Sequence, residues 1–374
     1  KNGGILRNFA TILGLCCLAT VAQAERFSMQ PSIPSPDAPR LLLLDTARAG
    51  ERLVVVGEQG HIILSDDGGA SWTHAEVPVS LMLTAVNFPT TERGWAVGHE
   101  AIVLNSEDGG ETWRIALSGE AIAALQVDAA REAIAEAEAA LEAAPEEERE
   151  DARWALDDAQ FALEDAELAI DEGIPYPALD IWFESPERGY VLGAYGLLLA
   201  TTDGGTNWAL HSKRLDNPDG YHLYGIARSA SGALVIAGEA GGLHRSRDDG
   251  VSWERLDPPY AGSFFGILAT ADRSLLIFGL RGNIFRSEDD GETWTPINAP
   301  GDSTLFGGRV LSGGRIVLVG AGGTVLESRD GGISFGTLGV DGRSARNAVA
   351  ENAAGDLVLV GFGGVRVIGQ GDDQ

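Results

Sequence analysis

The chain has 374 residues, 27 basic against 55 acidic side chains, a formal charge of −28, 50 glycines and two cysteines. With 44% hydrophobic residues it can bury a core, so wholesale disorder is excluded. The charge argues against a non-specific grip on nucleic acid or an anionic membrane surface, and two cysteines build neither a disulfide framework nor a four-thiolate zinc site. Glycine this abundant, without the Gly-X-Y period of collagen, implies many turns and therefore many short strands.

Residues 1–24 read as an export signal. Lys1 and Arg7 form a positive start, Phe9 to Val21 an apolar run, and Ala22-Gln23-Ala24 a small-residue cleavage site. The apolar run is short for a membrane span. Cleavage before Glu25 is the expectation, with an uncleaved anchor as the alternative. Cys16 and Cys17 both fall in this segment, so the mature chain depends on no disulfide. The expected location is the periplasm, or a thylakoid lumen in a photosynthetic host.

Beyond the signal the chain repeats itself. The octets 65–72, 106–113, 201–208, 246–253, 287–294 and 328–335 share the template S-x-D-x-G-x-[ST]-W. Their closing aromatics are Trp72, Trp113, Trp208, Trp253, Trp294 and Phe335, spaced 41, 95, 45, 41 and 41 residues apart. Each octet follows the same short β-rich runs punctuated by glycine, such as LTAVNF, RGWAVG and AIVLNS at 83–106. Four strands per unit describe a propeller blade. A last unit, 344–369, has three strands and no octet, and residues Arg26 to Met29 are expected to supply its outer strand. The prediction is an all-β, seven-bladed propeller of four-stranded blades, divided as 25–118 (blades one and two), an insertion at 119–172, and 173–374 (blades three to seven).

The octet is the Asp-box, or bacterial neuraminidase repeat. Asp67, Asp108, Asp203, Asp248, Asp289 and Asp330 are read as acceptors of backbone N–H groups across a hairpin turn. The following glycine supplies angles closed to other residues, and the aromatic supplies buried area. Catalytic or calcium-binding aspartates are the competing reading, but a single active site does not repeat around a ring.

Residues 119–172 differ in kind, with 18 acidic and 3 basic side chains, a net −15, and 18 alanines. Ala123, Val127, Ala130, Ile134, Ala137, Leu141 and Ala144 form one apolar seam; Ala152, Leu156, Ala159, Leu163, Ala166 and Ile170 form another. Two antiparallel helices are expected, interrupted at Pro145. Trp154, Phe161 and Leu168 make a further stripe on the second helix. Either it covers the propeller flank or helix one, or it docks a partner. By propeller topology the insertion leaves from the face carrying the middle-strand turns, with His61, His99, Glu100, Tyr195, Glu239 and Arg281.

Counting 29 residues back from each octet aromatic gives Leu43, Thr84, Leu179, Tyr224, Phe265 and Phe306. Tyr224, Phe265 and Phe306 thus share one place in three successive blades, with Tyr221, His222, Tyr260 and Phe264 near them. Inter-blade packing and a groove for an apolar or peptide segment are both open readings. Arg281, Arg309, Arg315, Arg343 and Arg346 are either ordinary surface residues or a local positive patch. The histidines show no metal-ligand spacing, and no phosphate loop or nucleophile elbow is present, so no metal or cofactor is expected.

Units such as ERGWAVGHEAIVLNSEDGGETW (92–113) and ERGYVLGAYGLLLATTDGGTNW (187–208) resemble the photosystem II assembly and stability factor family. That resemblance implies an exported, non-enzymatic propeller, monomeric outside its complex, which binds membrane-protein intermediates. In non-photosynthetic bacteria it implies an accessory of a resistance-nodulation-division type exporter. The candidate partner-binding residues are Trp154, Phe161, Leu168, His99, Tyr195, Tyr224, Phe265 and Phe306. The alternative function is a glycan-binding or sialidase-like propeller, although the early Arg-Ile-Pro motif of sialidases is missing.

Overall fold

A computed structural model describes residues 29–272 and 274–369. The export signal expected at 1–24 and the closing residues Arg26 to Ser28 lie outside the described residues. Seven antiparallel sheets follow one another along the chain, six of four strands and the last of three. In blade one the inner strand Leu43–Ala49 pairs with Arg52–Gly57, which pairs with Ile62–Ser65, which pairs with the short outer strand Thr73–His74. The inner strands of the following blades are Leu83–Asn87, Ala178–Phe183, Leu223–Arg228, Phe264–Ala269, Leu305–Val310 and Arg346–Glu351. Each lies beside the next, and the seventh lies beside the first.

The second strand of every blade is a nearly continuous apolar run, for example LVIAG at Leu234–Gly238, buried at all its positions. Such runs suit strands covered on both faces, here by the two neighbouring blades. The ring closes through Asn347 Nδ2, which donates to Leu43 O at 2.9 Å, and Asn352 Nδ2, which donates to Gly68 O at 3.0 Å. Among the described residues the seventh sheet keeps three strands. The chain just after Met29 is bound to blade one: Ser32 N donates to Val77 O at 3.0 Å and Ser35 N to His74 Nε2 at 3.0 Å.

Every octet folds into one hairpin turn. In blade two, Ser106 Oγ donates to Asp108 Oδ1 (2.8 Å) and receives Gly110 N–H (2.9 Å). Thr112 gives its N–H to Asp108 Oδ1 (3.0 Å) and its hydroxyl to Oδ2 (2.6 Å). Asp67, Asp203, Asp248, Asp289 and Asp330 make the corresponding bonds. Hydroxyl and amide donors hold the carboxyls of Asp67, Asp248 and Asp330 down at about 2. Gly110 sits at φ +91°, where a side chain would be strained. Trp113 is buried and donates Nε1–H to Gly110 O at 2.9 Å. Trp72 packs on Leu53 of its own blade and on Ala350 and Val358 of blade seven, so an octet aromatic is also an inter-blade wedge.

Between blades two and three stands a helical hairpin, α1 (Gly119–Ala143) and α2 (Arg149–Glu172). Ser118 caps α1, accepting from Ala121 N. Pro145 disfavours helical angles at Ala144 and so ends α1, and Gly173 at φ +86° ends α2. At ~1.5 Å per residue each helix is about 37 Å long. The first seam lies between the helices. The second holds from Ala152 to Ala166, after which Ile170 is 42% exposed and Ala169 packs in its place. A 3.6-residue helix drifts out of a 3.5-residue seam over three heptads. The base is anchored in the ring, where Ile122, Ala123 and Ile174 are buried with Ala101 and Leu197.

Candidate functional site

The face from which the hairpin rises is built by the turns between second and third strands. In five blades the middle residue of this turn is a non-glycine with left-handed angles: Gln59, Glu100, Tyr195, Ala240 and Arg281, with φ between 51° and 58°. The following residue is usually glycine because the linker to the next blade crosses above it. A Cβ on Gly60 would stand 2.1 Å from Val79 O. This local strain throws the middle side chain outward, and Tyr195 is 67% exposed.

Inside these turns, each inner strand carries a bulge at its second residue, where ladder pairing skips one position. A bulge re-aims a side chain. The bulged residues are Leu44, Thr84, Leu179, Tyr224, Phe265, Phe306 and Asn347. The sequence count had placed Leu43 in this set. The structure gives the place to Leu44, because Leu43 is the buried, paired residue before the bulge.

Turns and bulges together form an aromatic arc. Tyr176 meets Tyr195 (ring centroids 5.4 Å apart), Tyr195 meets His222 (5.2 Å), and His222 meets Tyr224 (6.1 Å). Tyr224 in turn meets Phe265 (5.0 Å), and Phe265 meets Phe306 (6.1 Å). His222 is fixed by Glu239, whose carboxylate lies 3.2 Å from Nδ1 and accepts the backbone N–H of His222 at 3.1 Å. Burial, with Glu239 adding to it, pushes the Tyr224 hydroxyl above its usual range, so it stays a neutral hydrogen-bonding group. At the Tyr176 end, Gln126 of α1 donates to the tyrosine hydroxyl at 2.7 Å. There the arc opens into a groove of about 950 Å³ between hairpin and ring, which His99, Glu100, Leu168, Tyr195 and Lys213 help to line.

The sequence-predicted residues thus divide. His99, Tyr195 and Leu168 meet around the groove; Tyr224, Phe265 and Phe306 continue from Tyr195 through His222. Trp154 and Phe161, each 65% exposed, stand farther out on α2 and cover neither the ring nor α1. Three sequence placements are corrected. Phe264 is fully buried between blades rather than on the rim. His61 is buried under Ser32 and against His74, and burial, with His74 beside it, lowers its pKa. The five late arginines do not share one patch: Arg309 donates to Thr46 O at 2.7 Å, Arg315 pairs with Glu327 and Arg346 is buried, while Arg281 and Arg343 are exposed.

Sequence reasoning missed a pair of carboxylates facing the central channel. Asp45 and Asp180 occupy the position after the bulge in blades one and three. Asp45 Oδ1 accepts from Thr46 N (2.8 Å) and Oδ2 from Val86 N (2.9 Å); Asp180 Oδ1 accepts from Ile181 N (2.9 Å). Burial, and then the charge of Asp45, raise Asp180 to about 7, with Arg309 opposing. Both residues retain some solvent contact, so desolvation here means a narrow channel rather than a sealed core. No group of three or more His, Cys, Asp or Glu side chains among the described residues is placed to hold a metal ion.

Fold and face together define a seven-bladed propeller whose turn face is aromatic and overhung by a helical arm. The sequence matches the model of the family described as photosynthesis system II assembly factor YCF48 over residues 41–155 and 159–305, and the chain belongs to that family. No curated protein matches the sequence. Similar solved structures include YCF48 bound to D1 peptide, at 17% identity and a TM-score of 0.61, covering 91% of this chain and 95% of that one. YCF48 from Cyanidioschyzon merolae is similar at 14% identity and a TM-score of 0.59, covering 89% and 96% of the two chains. A streptogramin B lyase shares the architecture at 12% identity and a TM-score of 0.61, covering 90% and 96%. At these identities the likeness is one of fold.

Proposed function

We propose that this chain is a non-enzymatic, exported propeller that holds an exposed segment of a membrane protein while that protein or its complex is assembled. The observation that carries this reading is the aromatic arc across three consecutive bulges. Six rings in series, part-exposed and flanked by turn residues, offer flat apolar area and hydrogen-bonding edges to a peptide. Family membership supports it, as does the similar fold of a YCF48 that binds a D1 peptide. The partner is a photosystem intermediate in a photosynthetic host and an exporter complex of the resistance-nodulation-division type elsewhere, met in the lumen or periplasm. A photo-crosslinking residue in place of Phe265 tests this in intact cells. The expected product is a cross-link to a membrane protein, with its yield cut roughly tenfold by Tyr224→Ala with Phe306→Ala. Cross-links to soluble proteins alone, or an unchanged yield, would reject the reading.

A glycan-hydrolysing function is the second reading, and it rests on Asp45 and Asp180. Asp45 ties its inner strand to the next through Val86 N, and Asp180 accepts the amide of Ile181 on its own strand, which favours a structural role for both. Turnover of an aryl glycoside or sialoside that disappears in Asp180→Asn would reverse that preference.

A further inference from the structure

α2 carries a repeating heptad, WALDDAQ-FALEDAE, followed by Leu168. Its seam residues Ala159 and Ala166 are buried against α1. The heptad's other face is not used within the molecule: Trp154, Phe161 and Leu168 are 65%, 65% and 53% exposed. Asp157 and Asp158 follow Trp154 by three and four residues, and Glu164 and Asp165 follow Phe161 likewise, so the apolar stripe is bordered by exposed carboxylates. We propose that this face docks a basic amphipathic helix of a partner protein. The helix would add as a third strand of the bundle, its apolar heptad on the stripe and its Lys and Arg residues beside the carboxylates.

Charge selects the occupant. A second copy would bring two arms of net −15 together, and like charges so juxtaposed are repulsive. An anionic lipid surface is opposed for the same reason. The stripe also continues into the site already described, since Leu168 lines the groove that leads to Tyr195. The arm is a fixed platform because its base is buried in the ring, so a docked helix is held at a set distance from the aromatic face. The inference rests on the reading of this chain as a binder of protein segments, but not on the aromatic face being the first contact.

Titration calorimetry on the full chain tests it with a synthetic 21-residue helix bearing Leu at a and d and Lys at e and g. Two controls are needed: the same peptide with Glu at e and g, and a scramble of identical composition without the heptad. Binding of the Lys helix is expected to exceed both controls by at least roughly tenfold. It should weaken by a similar factor in Trp154→Ala with Phe161→Ala, and in Asp157→Asn with Asp158→Asn and Glu164→Gln. Ile333→Ala, an exposed apolar position in the blade-six octet turn, should leave it within about twofold. Binding that persists in those arm variants while the Phe265 cross-link fails would remove both readings. Arm-dependent binding with a failed cross-link would remove only the proposed function. Equal binding of scramble and heptad, no binding at all, or a stripe that instead binds phosphatidylcholine vesicles overturns the inference.

Discussion

The ring and the arm use charge in opposite ways. In the ring, arginines are held between blades. Arg228 reaches Glu184 (2.5 Å) and Asp249 (2.9 Å), Arg245 reaches Glu254 (2.7 Å) and Glu292 (2.8 Å), and Arg52 reaches Asp66 (2.6 Å) and Glu111 (3.2 Å). In the arm, three arginines face eighteen acidic residues, and its bridges, such as Arg131 to Glu167 at 3.3 Å, are exposed. Part-buried networks that join elements fix geometry, whereas solvated like charges contribute little to folding. The charges of these ring arginines are accounted for by the architecture. Those of the arm are not, which makes the arm the part whose composition asks for a partner.

The sharpest way to break this comparison is to truncate one tryptophan in each region. Trp113 is 6% exposed and wedged in a blade, and its replacement by alanine should cost about 3–5 kcal/mol of stability. Trp154 is 65% exposed, and the same change should stay within about 0.5 kcal/mol. Denaturant midpoints and slopes measure both. A Trp154→Ala loss approaching that of Trp113→Ala would mean the stripe is part of the arm's own core.

How much of this was legible in the sequence follows from the range of the interactions. Octet turns are local: Ser, Asp, Gly and Trp act within eight residues, and their spacing shows the hairpin directly. Two local hydroxyls were overlooked: the one at the first position, which receives the glycine N–H in every turn, and the Ser or Thr before the aromatic, which donates to the aspartate in five of them. The arm's seams were legible for the same reason until helical drift exchanged Ile170 for Ala169. The misplacement of Leu43 came from carrying one offset into a blade whose spacing differs by a residue. Asp45, Asp180 and Arg309 were out of reach, because only closure of the ring brings residues so far apart in sequence to one channel. Tyr176 was equally hidden, being set against Tyr195 by the return from α2.

The channel carboxylates give the next test of how the ring uses charge. Asp180 titrates near 7 in the folded chain against 3.8 as the ordinary value. The folded state therefore holds a proton that the unfolded state releases, and the stability from this group is complete below the ordinary value. It is lost as pH rises through about 7. Asp180→Asn removes the charge with little change of shape. Its melting temperature relative to the parent should rise between pH 5 and pH 8. A difference that stays flat over that interval would show that Asp180 ionises freely and that the channel is wetter than its geometry indicates.

The smallest expected effect concerns the exposed aromatic among the ring residues held in strain. Tyr195 adopts φ 56° at the tip of its turn, with 67% of its surface exposed. Glycine adopts such angles without steric cost, so Tyr195→Gly should leave stability unchanged or raise it by up to about 1 kcal/mol. It should also break the aromatic arc between Tyr176 and His222 and lower the Phe265 cross-link yield. Gain in stability with loss of capture is the combination expected where a side chain is kept for contact at the expense of backbone comfort. If Tyr195→Gly destabilises the chain instead, the tyrosine is a packing residue of the arm's base, and the boundary between ring and arm has to be redrawn to include it.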